Sequence, residues 1–143
     1  MPATSLADIL KEQLGDRLAP GADTFPDFFA EDGVLECPFA PAGGMVQTTG
    51  QANIAAYLRK IKGTLGSDGM SLRAAYHGTD PAVTVLEYEG TARNEHTNAA
   101  YLQRYVAVVK TQAGRITLFR EYWNPLPVIK AFGGPIEAAA TAA

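Results

Sequence analysis

The sequence predicts an α+β domain in which three N-terminal helices precede a mostly antiparallel β-sheet, and three observations carry that prediction. A chain of 143 residues with 47% hydrophobic content is enough for one compact core and too short for two ordinary domains. Its apolar residues recur at helical spacing as far as Lys62 and alternate after Gly69, which is a change of period from helix to strand. The connections between the later segments are short and rich in turn formers, so those strands should meet as hairpins in a meander.

The elements follow in order. Ser5, with Asp8 three residues on, has the form of a capping box, and Leu6, Ile9, Leu10, Leu14 and Leu18 define a first helix from Ser5 to about Leu18. Pro20-Gly21 breaks it. Asp23 or Thr24 then caps a short second helix with Pro26 in its first turn, carrying Phe25, Phe28 and Phe29 and ending at Gly33. Val34 to Cys37 reads as a strand stopped by Pro38, and Phe39 to Thr49, with its prolines and Gly-Gly pair, reads as a loop. From Gln51 to about Lys62 the set Ile54, Tyr57, Leu58 and Ile61 lies on one face of a third helix. Four strands are expected near Met70 to Thr79, Ala82 to Arg93, Ala99 to Thr111 and Arg115 to Trp123. Asn124-Pro125 ends the last, Leu126 to Phe132 is a final turn of helix, and 133–143 is a flexible tail of small residues beyond a single domain spanning 1–132.

Charge and cysteine content narrow the function. A net charge of −3 with no cluster of Lys and Arg lacks the basic stripe that nucleic acid requires. No apolar run reaches the roughly 18 residues of a membrane span, and the polar start from Met1 to Asp8 has no signal-peptide pattern; a soluble cytoplasmic protein is the expectation. One cysteine, Cys37, excludes an intrachain disulfide and reads as a small buried hydrophobe with no base beside it. His77 shares strand phase with Ser71 and Arg73, which places it on the outer face, and His96 falls in a hairpin loop. No cluster has metal-ligand spacing, and the Gly-Gly pairs lack the context of a phosphate loop. Neither metal nor cofactor is implied. On the strand from Ala99 to Thr111, Leu102, Arg104, Val106 and Val108 alternate with Tyr101, Gln103, Tyr105, Ala107 and Val109. Both faces are apolar, so the one the helices leave bare should pack on a second copy, giving a homodimer through the outer sheet face.

Two runs carry a family resemblance: Phe28-Phe29-Ala30-Glu31-Asp32-Gly33-Val34-Leu35-Glu36, and Gly114-Arg115-Ile116-Thr117-Leu118-Phe119-Arg120-Glu121-Tyr122-Trp123-Asn124-Pro125. The first resembles the entry segment of SnoaL-like proteins and the second their closing strand. The chain is thus similar to SnoaL-like polyketide cyclases and phenazine-biosynthesis A/B proteins, within the ketosteroid isomerase-related, nuclear transport factor 2-like superfamily. The resemblance implies a cone-shaped α+β barrel, its helices packed on a curved mixed sheet.

Carried over residue by residue, the resemblance assigns candidate roles. Glu121 matches an acidic residue that acts as general acid in the phenazine proteins and corresponds to a catalytic Asp in limonene epoxide hydrolase-like proteins. Between Phe119 and Trp123 its carboxyl should lose hydration and rise in pKa toward neutrality. Arg104 matches an Arg of the epoxide hydrolase-like arrangement and is the expected partner of Glu121, but Val106 replaces the Asp that completes that set. Tyr57 falls where the phenazine proteins carry a His, and offers a phenolic O–H to a carbonyl. Cys37 occupies the position of the ketosteroid isomerase base, which removes that enzyme's double-bond machinery. Phe28, Phe39, Phe119 and Trp123 are the expected lining of a pocket for a small hydrophobic molecule. Two functions fit: a cofactor-free acid–base enzyme (isomerase, cyclase or dehydratase type) acting on an apolar carbonyl-bearing or polyketide-like metabolite, or a non-catalytic protein that holds a small molecule or partner in the same pocket.

Overall fold

A computed structural model describes residues 5–62 and 65–131, with side chains for all of these except 65–68. The expected tail at 133–143 lies outside the described residues. Helix α1 (Leu6–Leu14) is capped by Ser5, whose Oγ accepts the Asp8 N–H at 3.1 Å. It buries Ile9, Leu10 and Leu14. The helix ends at Gly15, earlier than the spacing predicts, and a 3₁₀ turn (Gly15–Arg17) carries the chain on. The predicted second helix is also only a 3₁₀ turn, Phe25–Phe28. Asp27 folds back to accept from Thr24 N and Oγ1 at 3.0 and 2.7 Å, and Pro26 leaves few backbone donors to extend a helix.

Strand β1 (Phe29–Glu36) therefore starts five residues before the sequence places it and runs through Gly33. It pairs with β6 (Arg115–Trp123) in parallel, with a register shift between Phe29 and Val34. Gly33 sits in that shift, where a Cβ would come within 2.9 Å of the Ile116 carbonyl oxygen. The residue is a close-approach position in a bulge, not a helix stop. A short strand β2 (Gln47–Thr49), within the segment expected to be loop, pairs antiparallel with β1. Helix α2 (Gln51–Lys62) has the expected bounds, and its Gln51 Nε2 donates to the carbonyls of Pro26 and Phe29 at 3.1 Å.

Strands β3 (Leu65–His77), β4 (Val83–Asn94), β5 (Ala100–Gln112) and β6 form an antiparallel meander, and the six-stranded sheet has the order β2-β1-β6-β5-β4-β3. It is mixed, with β1–β6 its one parallel pair among the described residues. Helix α3 (Pro125–Ala131) follows β6. The described α-helices number three, but two precede most of the sheet and one closes the chain, in place of three at the N-terminus.

The core lies on one sheet face. Phe28, Phe29, Leu35, Ile54, Leu86, Tyr88, Ala107, Val109, Ile116 and Phe119 close on α1, and Phe25 packs edge-on to Phe29 and Phe119 at 5.2 and 4.9 Å. A register shift between Leu72 and Ala74 moves the end of β3 into the opposite phase. Tyr76 joins Glu87 on the outer face, its hydroxyl donating to that carboxylate at 2.6 Å. His77, expected on the outer face with Ser71 and Arg73, instead pairs with buried Thr84 and meets Arg17 at 3.3 Å.

Candidate active site

Register builds the site. On the inner face, one cross-strand row is Leu86, Ala107 and Glu121, and the next is Tyr88, Tyr105 and Trp123. Tyr88 on β4 and Glu121 on β6 are separated by β5, roughly 10 Å at the usual strand spacing, a distance a tyrosine side chain can help to span. Ala107 lies between them and is completely buried. Its methyl group leaves the path open, and the Tyr88 hydroxyl donates to Glu121 Oε2. Tyr105 stacks on Tyr88 with centroids 4.9 Å apart and planes 18° off parallel. Tyr88 is fully buried, so its hydroxyl needs a partner within the protein, and the Glu121 carboxyl supplies it.

Cys37, just past β1, and Tyr57, on α2, complete the group. The Cys37 N–H donates to Val46 O at 2.8 Å, which anchors the thiol at the end of the strand, and the Trp123 indole N–H donates to the sulfur. Glu121, Tyr57, Tyr105 and Trp123 are each half-buried, while Tyr88 and Cys37 are buried.

Removal from water dominates the electrostatics. Burial pushes the Glu121 carboxyl up from 4.5 to about 7, against the opposing hydrogen bond from Tyr88. Burial, and then the nearby Glu121 charge, pushes the Cys37 thiol to about 12. Tyr57 also reaches about 12, from burial first and then from Cys37 and Glu121. Tyr88 and Tyr105 are driven well above the ordinary phenol value, again by burial first and Glu121 second. Near neutral pH the site thus holds one carboxyl able to gain or lose a proton, surrounded by O–H and S–H donors that keep theirs.

The other sequence candidates fall elsewhere. Arg104 faces outward, where its Nε meets Glu89 Oε2 at 3.2 Å and Arg73 meets Oε1 at 3.1 Å. The expected Arg104–Glu121 pair does not form: residue 107 is the one opposite Glu121, and three steps along a strand reverse the side. Phe28 and Phe119 are each 1% exposed and belong to the close-packed core. Phe39 is 58% exposed and rests edge-on against Tyr122 at 5.2 Å, beside a concavity of about 770 Å³ lined by Arg73, Glu87, Arg104 and Val106 and also by Tyr88, Tyr105 and Trp123 of the Glu121 group. Of the seven candidates, Glu121, Tyr57 and Trp123 come together. The sequence reading did not propose Tyr88 or Tyr105 as site residues: alternation separates Tyr105 from Arg104 on β5, but only the register shows which of the two faces Glu121 shares. Cys37, at the position the resemblance gives to the isomerase base, does join the group. Among the described residues no group of three or more His, Cys, Asp or Glu could hold a metal ion, and no helix is long and apolar enough to cross a membrane.

This sheet and helix arrangement is of the nuclear transport factor 2-like, ketosteroid isomerase-like type. A solved structure with a ketosteroid isomerase-like fold, from Catenulispora acidiphila, superposes with a TM-score of 0.69 at 14% identity, covering 94% of this chain and 98% of that one. Residues 18–119 match the SnoaL-like domain, and the chain belongs to the SnoaL-like family. An uncharacterised PhzA/B-like protein of Pseudomonas aeruginosa is 34% identical over 118 residues, 80% of this chain and 79% of the relative. A solved Bacillus subtilis structure, provisionally named an isomerase, is 28% identical with a TM-score of 0.72, covering 89% of this chain and 86% of that one.

Proposed function

We propose that the protein is a cofactor-free acid–base enzyme, of isomerase or cyclase type, in which Glu121 moves a proton on a small apolar carbonyl-bearing substrate. One observation carries this reading: the Glu121 carboxyl is held by the buried Tyr88 hydroxyl amid other hydroxyl and thiol groups, a setting whose burial pushes it up to about 7. Tyr88 engages Oε2, so Oε1 is the atom that gives the proton to a carbonyl or enol and takes it back. Tyr57, whose burial keeps its phenol protonated, donates in this reading to the same substrate oxygen as charge develops there. The Bacillus subtilis isomerase-named relative supports the reaction class. A homodimer through the outer sheet face is part of the proposal.

The test is Glu121→Gln, which keeps the shape and hydrogen-bonding capacity and removes the transferable proton. The chemical step should slow by about 10²–10⁴-fold with ligand affinity little changed, and the wild-type rate should follow a titration near pH 7. Full turnover by the variant would reject Glu121 as the acid–base group and favour a binding protein.

A further inference from the structure

Among the described residues, the positive charges lie away from Glu121. Of twelve Lys and Arg, Lys11 pairs with Asp23, Arg17 ties to Pro81 O and Thr84 Oγ1 at the β3–β4 turn, and Arg73 and Arg104 hold Glu89 outside the sheet. Arg115 donates to Asp27 O and Arg120 to Glu36. Arg93 lies opposite Ala100 in the outward phase of β4, and Arg59, Lys60, Lys62, Lys110 and Lys130 are exposed. His77 is at the Arg17 edge and His96 is exposed in a hairpin loop. The titratable groups that bear on Glu121 are Cys37 beyond β1, Tyr57 on α2, Tyr88 on β4 and Tyr105 on β5, and each is neutral when protonated. Among the described residues, the one formal charge this site develops near neutral pH is the negative charge of Glu121.

We infer that the site is charge-selective: it admits uncharged ligands whichever protonation state Glu121 holds, and admits a carboxylate only together with a proton on Glu121. A hydroxyl ligand donates to the carboxylate or accepts from the acid, so it finds a partner either way. A carboxylate ligand can only accept, and two ionised carboxyls sharing a site without a counter-ion cannot both stay charged. One of them must take up a proton. Glu121 is then a specificity-determining residue that directs the enzyme to neutral carbonyl or phenol substrates and away from acids. The inference rests on the reading above only in placing the ligand against Glu121.

The experiment pairs two probes of one shape, 2-naphthol and 2-naphthoate, titrated calorimetrically into the protein at pH 6 and pH 8 in buffers of different ionisation heat. With the Glu121 carboxyl titrating at about 7, naphthoate should bind roughly tenfold more weakly at pH 8 than at pH 6 and take up close to one proton at pH 8. Naphthol should change by less than about twofold. Glu121→Gln should bind naphthoate equally at both pH values and keep naphthol. Wild-type protein that holds naphthoate equally well at both pH values without proton uptake overturns the inference, as does failure of both probes to bind at pH 6. If Glu121→Gln keeps full turnover while the probe pattern holds, the acid–base reading falls and the charge selectivity stands.

Discussion

Glu121, the acid–base group proposed above, also costs the fold stability once it is ionised. Its carboxyl is raised from 4.5 to about 7 because burial penalises the charged form more than Tyr88 stabilises it. A folded-state pKa above the unfolded value means that the native state holds the proton more tightly, so this group's favourable contribution is complete below about 4.5 and is lost as pH rises through 7. The wild-type protein should lose about 2–3 kcal/mol between pH 4.5 and pH 8 from this residue, and Glu121→Gln should remove most of that slope. Denaturant titrations of both proteins across this range check it; parallel pH–stability curves would show that the carboxyl is well hydrated. Glu121 was a candidate through the resemblance of its closing strand to that of SnoaL-like proteins, and its aromatic neighbours in sequence pointed to a raised pKa. Its partner could not, because Tyr88 lies two strands away and the contact depends on the β4–β5–β6 register. The expected Arg104–Glu121 pair failed for the same reason: similar-looking apolar neighbours occur on both faces of β5, and alternation alone does not say which face a residue of another strand shares.

At the scale of elements, the sequence showed where its periodicity was long and unbroken. Helix α2 and strands β4, β5 and β6 appear nearly as predicted, since each repeats its pattern over at least nine residues, whereas β3 starts at Leu65, five residues before the predicted Met70. The departures cluster where the pattern is short or slips. Phe25 to Phe29 reads as helical because its aromatics are closely spaced, yet only a 3₁₀ turn separates it from β1. His77 changes face because of a one-residue slip at Arg73 that no composition signal announces. Gly33 reads as a stop but is a contact. With a Cβ placed 2.9 Å from Ile116 O and 3.0 Å from the Phe29 ring, Gly33→Ala must push β1 off β6 at the sole parallel pairing of the described sheet. The expected cost is about 1–3 kcal/mol. A denaturant midpoint equal to wild type would mean that the bulge absorbs the methyl group. Because β1 delivers Cys37 to the site, the variant should also disturb ligand binding, more than its distance from Glu121 along the chain implies.

At the scale of the whole molecule, the two sheet faces divide the work. The inner face is closed by α1, α2 and the aromatic core, and holds the Glu121 group; the outer face carries Leu102, Val106 and Tyr76 exposed at 53, 37 and 55%. Around these apolar residues stand Arg73, Arg104, Glu87 and Glu89, a mixture of signs that suits a two-fold contact, in which each cation can face the other copy's carboxylates. A sheet face of this kind needs to bury about 800 Å² per partner to be stable. Val106 lies near its middle, on β5 between Glu87 of β4 and Tyr122 of β6. Light scattering at micromolar concentration should give twice the 15.2 kDa chain mass. Val106→Glu, which adds a charge at the centre of the contact but removes nothing from the core, should give the single-chain mass with an unchanged far-ultraviolet spectrum. Wild-type protein that scatters as a single chain would leave the outer face without a partner. Because Glu121 stands on the sheet face opposite Val106, 2-naphthol should bind Val106→Glu as it binds the wild type.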